Sequence, residues 1–205
     1  MKKIILLLLT LLVSMFAFGC HRDPIPEDAV FGFSREIPEA EQTIRLQVVQ
    51  SAEKWLGCKE SDESFKPIID IYNAHEPLAV NYIVKYTDQW CATFGSTVAI
   101  ECGLTDIIPT ECGCQRQIAL FEELGCWQED DAYIPLPGDY IFYALSNKLE
   151  DNTAWSDHVG IVVGTWNEYI KVIEGNNVAA VRYRFIKIDD VMIRGYGLPD
   201  YASRT

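Results

Sequence analysis

The order of its helical and strand patterns is the feature that most constrains the fold of this 205-residue chain. In the first half, apolar residues recur at helical spacing, and three of the four helical segments end near a glycine, Gly57, Gly103 or Gly125. The second half instead carries β-branched and aromatic segments separated by Gly, Asn and Asp. The joins between these segments are short, which favours antiparallel pairing over helical crossovers. This order predicts an α+β domain in which N-terminal helices pack on an antiparallel β-meander.

Eight segments carry this prediction. The helical ones are the stretch from Ile44 to Trp55, KPIIDIYNAH, TDQWCATFGSTVAIECG and QRQIALFEELG. The strands are DYIFYAL, HVGIVVGTW, EYIKVIEGN and AVRYRFIKI.

The first 19 residues have the three parts of a secretory signal. Two lysines precede a charge-free apolar run from Ile4 to Gly19, shorter than the roughly 20 apolar residues of a usual membrane-spanning helix. Cys20 follows Ala17, Phe18 and Gly19, in the place where a bacterial lipoprotein carries its lipid. We therefore expect an extracytoplasmic chain anchored in the membrane through a lipidated Cys20. Cleavage by ordinary signal peptidase, which would give a secreted chain, is the alternative.

The next segment and the overall charge bear on domain organisation and partners. Residues 20–38 are rich in proline and acid and lack a periodic pattern, which indicates a tether, and residues 39–205 have the length of one domain with a single core. Removal of residues 1–19 leaves 15 Lys and Arg against 30 Asp and Glu, which changes the net charge from −13 to −15. Such an acidic surface argues against nucleic acid or anionic lipid as the main partner.

Six cysteines remain after Cys20, and an even set outside the cytoplasm usually suggests disulfides. The spacing of Cys112, Cys114 and Cys126 also suggests zinc, but no histidine lies near them and they form no CxxC pair. We therefore expect no metal and no other cofactor. If Cys91 stays a free thiol, five cysteines are left and at least one of those is unpaired, so counting leaves the pairing open.

Cys91 is the candidate nucleophile. With Thr87 or Asp88 as the N-cap, it would lie in the first turn of its helix, where free backbone N–H groups and the positive end of the dipole stabilise a thiolate. The same N–H groups could receive the oxyanion that forms when a carbonyl is attacked. The alternative is that Cys91 only packs as a small apolar residue.

A nucleophile of this kind needs a base, and the base needs a partner that orients it. Of the three histidines, His21 is in the tether, His75 is in a loop, and His158 opens a predicted strand that can hold it rigidly. The next strand ends with Glu174 and Asn176, and either side chain is a plausible partner for the second ring nitrogen of the base.

The turn between these two strands decides which side chain shares a face with His158, because side chains alternate across a sheet. A two-residue turn at residues 167–168 would turn both Glu174 and Asn176 away from it. We therefore predict a three-residue turn, or a bulge with the same effect. We also predict that an oxygen of Glu174 or Asn176 reaches the imidazole, and we favour Glu174 because a carboxylate stabilises an imidazolium better than an amide does.

Four motifs are similar to those of one enzyme family. YTDQWCATF, PGDYIFY, SDHVGIVV and VIEGN resemble the block motifs of the CHAP family, papain-like cysteine amidohydrolases of the NlpC/P60 superfamily that cut bacterial cell walls. More narrowly, the chain resembles the CHAP modules of Firmicutes phage lysins, in which segments similar to WLG, IIDIYNAH, TDIIPTECGC and IRGYG surround the same core. The resemblance covers about Ala52 to Tyr201.

The resemblance implies a papain-like, NlpC/P60-type fold for residues 39–205. It also implies that Cys91 is the nucleophile, that His158 is the base and that Glu174 is the polar third residue, with Asn176 close by. Gly95 is a departure, since such modules commonly have a larger residue there. By helix propensity alone it should weaken the helix by about 1 kcal/mol relative to alanine.

These residues and motifs predict an extracytoplasmic peptidoglycan hydrolase. It would act on the stem peptide or on its junction with the glycan, as an N-acetylmuramoyl-L-alanine amidase or a peptide endopeptidase. One alternative is the same scaffold acting on a protein amide, as in a secreted toxin or a deamidase. Another is a non-catalytic lipoprotein that holds a wall peptide, although a complete set of cysteine, histidine and carboxylate argues against it.

Overall fold

The computed structural model describes residues 25–146 and 154–205, and the predicted signal segment with Cys20 lies outside them. Helices come first and strands follow, so the predicted α+β class is confirmed. The helices are α1 (Glu39–Glu53), α2 (Lys66–Asn73), α3 (Cys91–Cys102) and α4 (Cys114–Glu123). The strands are β1 (Trp127–Gln128), β2 (Tyr140–Tyr143), β3 (His158–Trp166), β4 (Tyr169–Glu174), β5 (Arg182–Lys187) and β6 (Ile193–Gly197).

The six strands form one antiparallel sheet in the order β1-β6-β2-β3-β4-β5. The four predicted strands are neighbours in chain order, from β2 to β5, as a meander requires. The last strand does not continue the meander, because β6 returns to the other edge and lies between β2 and β1. Gly195 permits this pairing, since a Cβ there would lie 2.6 Å from the Trp127 ring.

Helix α3 is the centre of the core. Nine consecutive residues, Cys91–Ala99, are buried, and the helix contacts α1, α2, β3 and β4. A helix that is buried on all sides must lie close to its neighbours, and Gly95 makes this possible on the sheet side. A Cβ at Gly95 would lie 2.8 Å from the Tyr140 ring, and the Tyr140 hydroxyl donates to the Gly95 carbonyl. The prediction from helix propensity therefore missed a packing role for this glycine.

The described part of the predicted tether lies against the domain. Gly32 exchanges backbone hydrogen bonds with Thr165 of β3, and the Phe31 ring packs on those of Trp166 and Phe185. These hydrogen bonds and ring contacts attach residues 31–32 to the sheet. The proline-rich composition did not predict this attachment. None of the helices within the described ranges is both long and apolar enough to cross a bilayer.

The β3–β4 hairpin contains a bulge, the predicted alternative to a three-residue turn. Trp166 lies opposite Tyr169, so the turn has two residues and the predicted three-residue turn is wrong. The register shifts between Val162 and Gly164, and beyond that point Ile161 lies opposite Ile173. Extension of this register places Glu174 on the face of the sheet that also carries His158, as the bulge alternative predicted.

Candidate active site

Cys91 is the first residue of α3 and follows Trp90, which occupies the N-cap position without a side-chain cap. The predicted N-caps, Thr87 and Asp88, are therefore wrong. The Asp88 carboxylate instead accepts from the Lys85 N–H and stabilises the preceding turn. The N–H groups of the first helical turn have no acceptor within the helix, because the first helical bond is donated by Phe94. The Cys91 sulfur thus lies at the positive end of a buried helix.

His158 is the first residue of β3, and its imidazole is held from two sides. Nε2 lies 2.9 Å from Oε2 of Glu174, and the ring stacks on Tyr143 at a centroid distance of 5.9 Å. The predicted contact between Glu174 and the imidazole is therefore present. It leaves Nδ1 as the ring nitrogen available to Cys91, with which His158 also interacts.

Glu174 is fully buried at the end of β4 and accepts hydrogen bonds from three side chains. Besides His158, the Asn177 amide donates to Oε2 at 2.9 Å and the Arg184 guanidinium donates to Oε1. A buried carboxylate with this many donors has a fixed position, so it orients the imidazole rigidly.

Asn176 does not reach the imidazole. Its backbone φ of 55° takes the chain out of the strand, and its amide donates to Oε1 of Gln89 at 2.7 Å. The expectation that Asn176 could serve as the partner of His158 is thus not met. Instead it connects the end of β4 to the segment that leads into Cys91.

Sequence reasoning missed Arg184, Asn177 and Cys114. Strand pairing could have indicated Arg184. This β5 residue lies opposite Val172 of β4 and therefore shares a face with Glu174. A cationic side chain two positions from the register of a buried carboxylate is a typical cross-strand partner.

The close approach between α3 and the end of β4 depends on Gly175. A Cβ there would lie 2.3 Å from Cβ of Phe94 and 3.0 Å from the Trp90 ring. Only a glycine allows the strand that carries Glu174 to lie this close to the first turn of α3. The spacing between the helix with the cysteine and the strand with the carboxylate is therefore set by this residue.

Cys114 completes the surroundings of the Cys91 sulfur. It is the first residue of α4, and its sulfur lies 3.6 Å from that of Cys91. The N-termini of two helices thus converge on one pair of sulfurs, and both dipoles favour a thiolate there. The hydrogen bond with Cys91, together with burial, raises the pKa of Cys114 well above the usual value for a thiol. Either sulfur can donate in this contact, and the interaction of Cys91 with His158 favours Cys91 as the thiolate.

The charges in the site shift the pKa values of its residues. The hydrogen bond from Cys114, with that from His158, outweighs burial and lowers the pKa of Cys91 well below its usual value. Burial acts to lower the pKa of His158, but hydrogen bonds with Cys91 and Glu174 outweigh it and raise that pKa to about 9. Burial acts to raise the pKa of Glu174, yet His158 and Arg184 hold it below its ordinary value. These shifts together favour a thiolate on Cys91 beside an imidazolium on His158.

Two cavities lie near the site, one beside His158 and one beside α4. One, of about 480 Å³, is lined by His158, Arg184 and Asn176, among others. The other, of about 370 Å³, lies on the α4 side and is lined by Arg116 and Cys112, among others. Gln89, two residues before Cys91, lines both. Cys91 itself is buried and lines neither cavity.

The remaining cysteines have separate surroundings. All six cysteines of the described ranges are free thiols, and no group of three His, Cys, Asp or Glu within those ranges is arranged to hold a metal. The Cys112 sulfur accepts from Arg116, and the Cys126 sulfur donates to a backbone carbonyl. The three cysteines of the zinc alternative therefore do not converge.

Searches of protein-family models, of curated proteins and of solved structures found no match to this chain.

The lowered pKa of Cys91 predicts selective alkylation. An ordinary thiol is protonated at pH 6, whereas the lowered pKa of Cys91 favours its thiolate, so we expect Cys91 to react with iodoacetamide at that pH. Burial raises the pKa values of Cys102, Cys112 and Cys126, so these thiols should react only in alkaline solution. Mass spectrometry of the alkylated peptides across pH measures all four in one sample. The same pH dependence for Cys91 and Cys126 would contradict the thiolate assignment.

Proposed function

We propose that the protein is an extracytoplasmic peptidoglycan hydrolase that cleaves an amide bond through a cysteine nucleophile. The observation that carries the proposal is the arrangement of Cys91, His158 and Glu174. A cysteine at a helix N-terminus lies beside a histidine whose second nitrogen is held by a buried carboxylate. The resemblance of the four motifs to the CHAP family, whose members cut cell walls, supplies the substrate class.

The finer fold assignment is part of this proposal. We infer a papain-like domain of the NlpC/P60 type, because the helix with the nucleophile packs on an antiparallel sheet that carries the base. The order of cysteine, histidine and carboxylate along the chain also agrees with that type.

The chemistry follows from the positions of the groups. The Cys91 thiolate attacks the amide carbonyl, and the free N–H groups of the first turn of α3 stabilise the oxyanion. The His158 imidazolium gives its proton to the departing amine, which leaves an acyl-enzyme. Neutral His158 then takes a proton from water, and the resulting hydroxide releases the acid product and restores the thiolate. Glu174 is a positioning residue, because it keeps the ring oriented and favours its charged form.

The cellular location is proposed on the N-terminal sequence alone. We infer that the mature chain is anchored outside the cytoplasm by lipid on Cys20, which brings the hydrolase to a membrane and the wall beside it. A secreted chain without lipid is the alternative. Neither alternative changes the chemistry at Cys91.

Fragment analysis of digested peptidoglycan tests the function. We expect the purified protein to release soluble fragments whose new ends, read by mass spectrometry, identify the bond. Free muramic acid carboxyls with new N-terminal alanines indicate an amidase, and new ends within the stem peptide indicate an endopeptidase. Protein inactivated beforehand by iodoacetamide at pH 6 is the matched control. If the untreated protein, with Cys91 still alkylatable, releases no fragment from several wall types, the peptidoglycan substrate is wrong and a protein amide becomes the leading substrate class.

A further inference from the structure

Cys114 is a buried thiol that the proposed hydrolysis does not consume. It is 7% exposed, against 5% for Cys91, and its sulfur lies 3.6 Å from the nucleophile. The two residues are 23 positions apart and begin different helices. A thiol held against a reactive thiolate is the arrangement that allows one sulfur to attack the other after oxidation.

We propose that Cys91 and Cys114 form a modification site at which a hydroperoxide converts the two thiols into a disulfide. The proposal rests on the same Cys91 nucleophile as the proposed function. The modification removes the nucleophile from the hydrolytic reaction, and a dithiol reductant restores it.

The chemistry balances with hydrogen peroxide as the oxidant. The Cys91 thiolate attacks one peroxide oxygen, the O–O bond breaks, and the released hydroxide takes the imidazolium proton from His158 to form water. Cys91 is thereby oxidised by two electrons to a sulfenic acid, and the peroxide is reduced. The Cys114 sulfur then attacks the Cys91 sulfur as its own proton leaves with the displaced hydroxide as a second water. Two thiols and one peroxide become one disulfide and two waters.

The geometry selects Cys114 for the second step. The two sulfurs already lie 3.6 Å apart, so they must approach by about 1.5 Å to reach the roughly 2.05 Å of a disulfide. Other thiols have other partners: the sulfur of Cys112 lies 3.5 Å from the Arg116 guanidinium, and that of Cys102 lies 3.9 Å from a backbone carbonyl. Without a second thiol at contact distance, a sulfenic acid passes on to sulfinic and sulfonic acids, which thiol reductants do not reverse.

The test treats the purified protein with a small molar excess of hydrogen peroxide, followed by alkylation and non-reducing mass spectrometry. Before alkylation we expect the intact mass to fall by two hydrogens, and after alkylation and digestion we expect a cross-linked peptide that joins Cys91 and Cys114. Dithiothreitol should return both thiols. In Cys114→Ser, the same treatment should leave oxygen adducts on Cys91. The fraction of Cys91 thiol that dithiothreitol recovers should be less than about one-tenth of the fraction recovered in the parent. Cys126→Ser, the matched control, should cross-link as the parent does.

The outcomes separate this inference from the proposed hydrolysis, since none of these measurements uses peptidoglycan. A cross-link between Cys91 and Cys114 in a protein that cuts no cell wall would keep the modification site and remove the hydrolase. The proposal is overturned if the parent gives sulfinic acid at Cys91 with no such cross-link. It is also overturned if Cys114→Ser recovers its Cys91 thiol as fully as the parent.

Discussion

Replacement of Cys91 with alanine should lower the rate of peptidoglycan fragment release by roughly 10⁴- to 10⁶-fold, because loss of a nucleophile leaves only the contributions of binding and oxyanion contacts. The fold should persist, since alanine differs from cysteine by one buried atom and favours the helix. The release of soluble fragments from purified peptidoglycan measures the rate, and far-ultraviolet circular dichroism measures the fold.

Cys102→Ala is the matched control for this variant. Cys102 is the last residue of the same helix, and its sulfur contacts the Gln47 carbonyl at the opposite end of α3 from the site. We expect this variant to release fragments at the parent rate. A Cys91→Ala protein that cuts at the parent rate would exclude Cys91 as the nucleophile.

Replacement of Glu174 with glutamine should affect both the rate and the stability. Glutamine keeps the size of the side chain but removes the charge that faces His158 and Arg184, so we expect the rate to fall by about 10²- to 10⁴-fold. Removal of one partner from a buried ionic group also destabilises a fold by about 3–5 kcal/mol. Chemical denaturation and the pH dependence of kcat/KM measure the two effects separately.

The pH dependence identifies the role of Glu174. The folded pKa of His158 is about 9, above the ordinary 6.5, so the parent should lose activity in alkaline solution near pH 9. By linkage, the stability that His158 contributes is fully present below pH 6.5 and is lost as the pH rises through 9. Because Glu174 is one cause of the raised pKa, Glu174→Gln should move the alkaline limb to lower pH.

Asn176→Ala tests which side chain near the end of β4, Glu174 or Asn176, orients the His158 imidazole. Asn176 bonds to Gln89 and not to the imidazole, so its loss should leave the alkaline limb of the parent unchanged. A shift of that limb in Asn176→Ala, with none in Glu174→Gln, would assign the orienting role to the amide instead.

Local patterns indicated the four helices and strands β2 to β5, but neither β1 and β6 nor the longest-range contacts. The start of β3 at His158 and the end of α3 before Gly103 follow from spacing, whereas the contact of Glu174 with the imidazole depends on the bulge between Val162 and Gly164, which no local pattern placed. The pairing of β6 with β2 depends on the close packing of Gly195 against the Trp127 ring, and no local pattern contains that information.

The same limit explains why the sequence did not indicate Cys114. Its contact with Cys91 exists because the first turns of α3 and α4 meet, and the relative position of two helices is a property of packing. Cysteine counting treated Cys114 only as a member of a pair or of a zinc site. Helix caps were missed for a related reason: Trp90 holds its position through burial, which no capping preference predicts.

The hydrogen bonds between Gly32 and Thr165 fix one point of the N-terminal segment on the sheet, which would limit how far a lipid anchor lets the domain move from a membrane. If lipid is attached at Cys20, only 12 residue steps separate the anchor from this attachment point on the sheet. A fully extended chain covers at most about 3.3–3.6 Å per residue, so the segment between Cys20 and Gly32 spans no more than roughly 40 Å. The proposed hydrolase, if held in this way, would work on the innermost layer of the wall, and its reach, more than its affinity, would decide which strands it cuts.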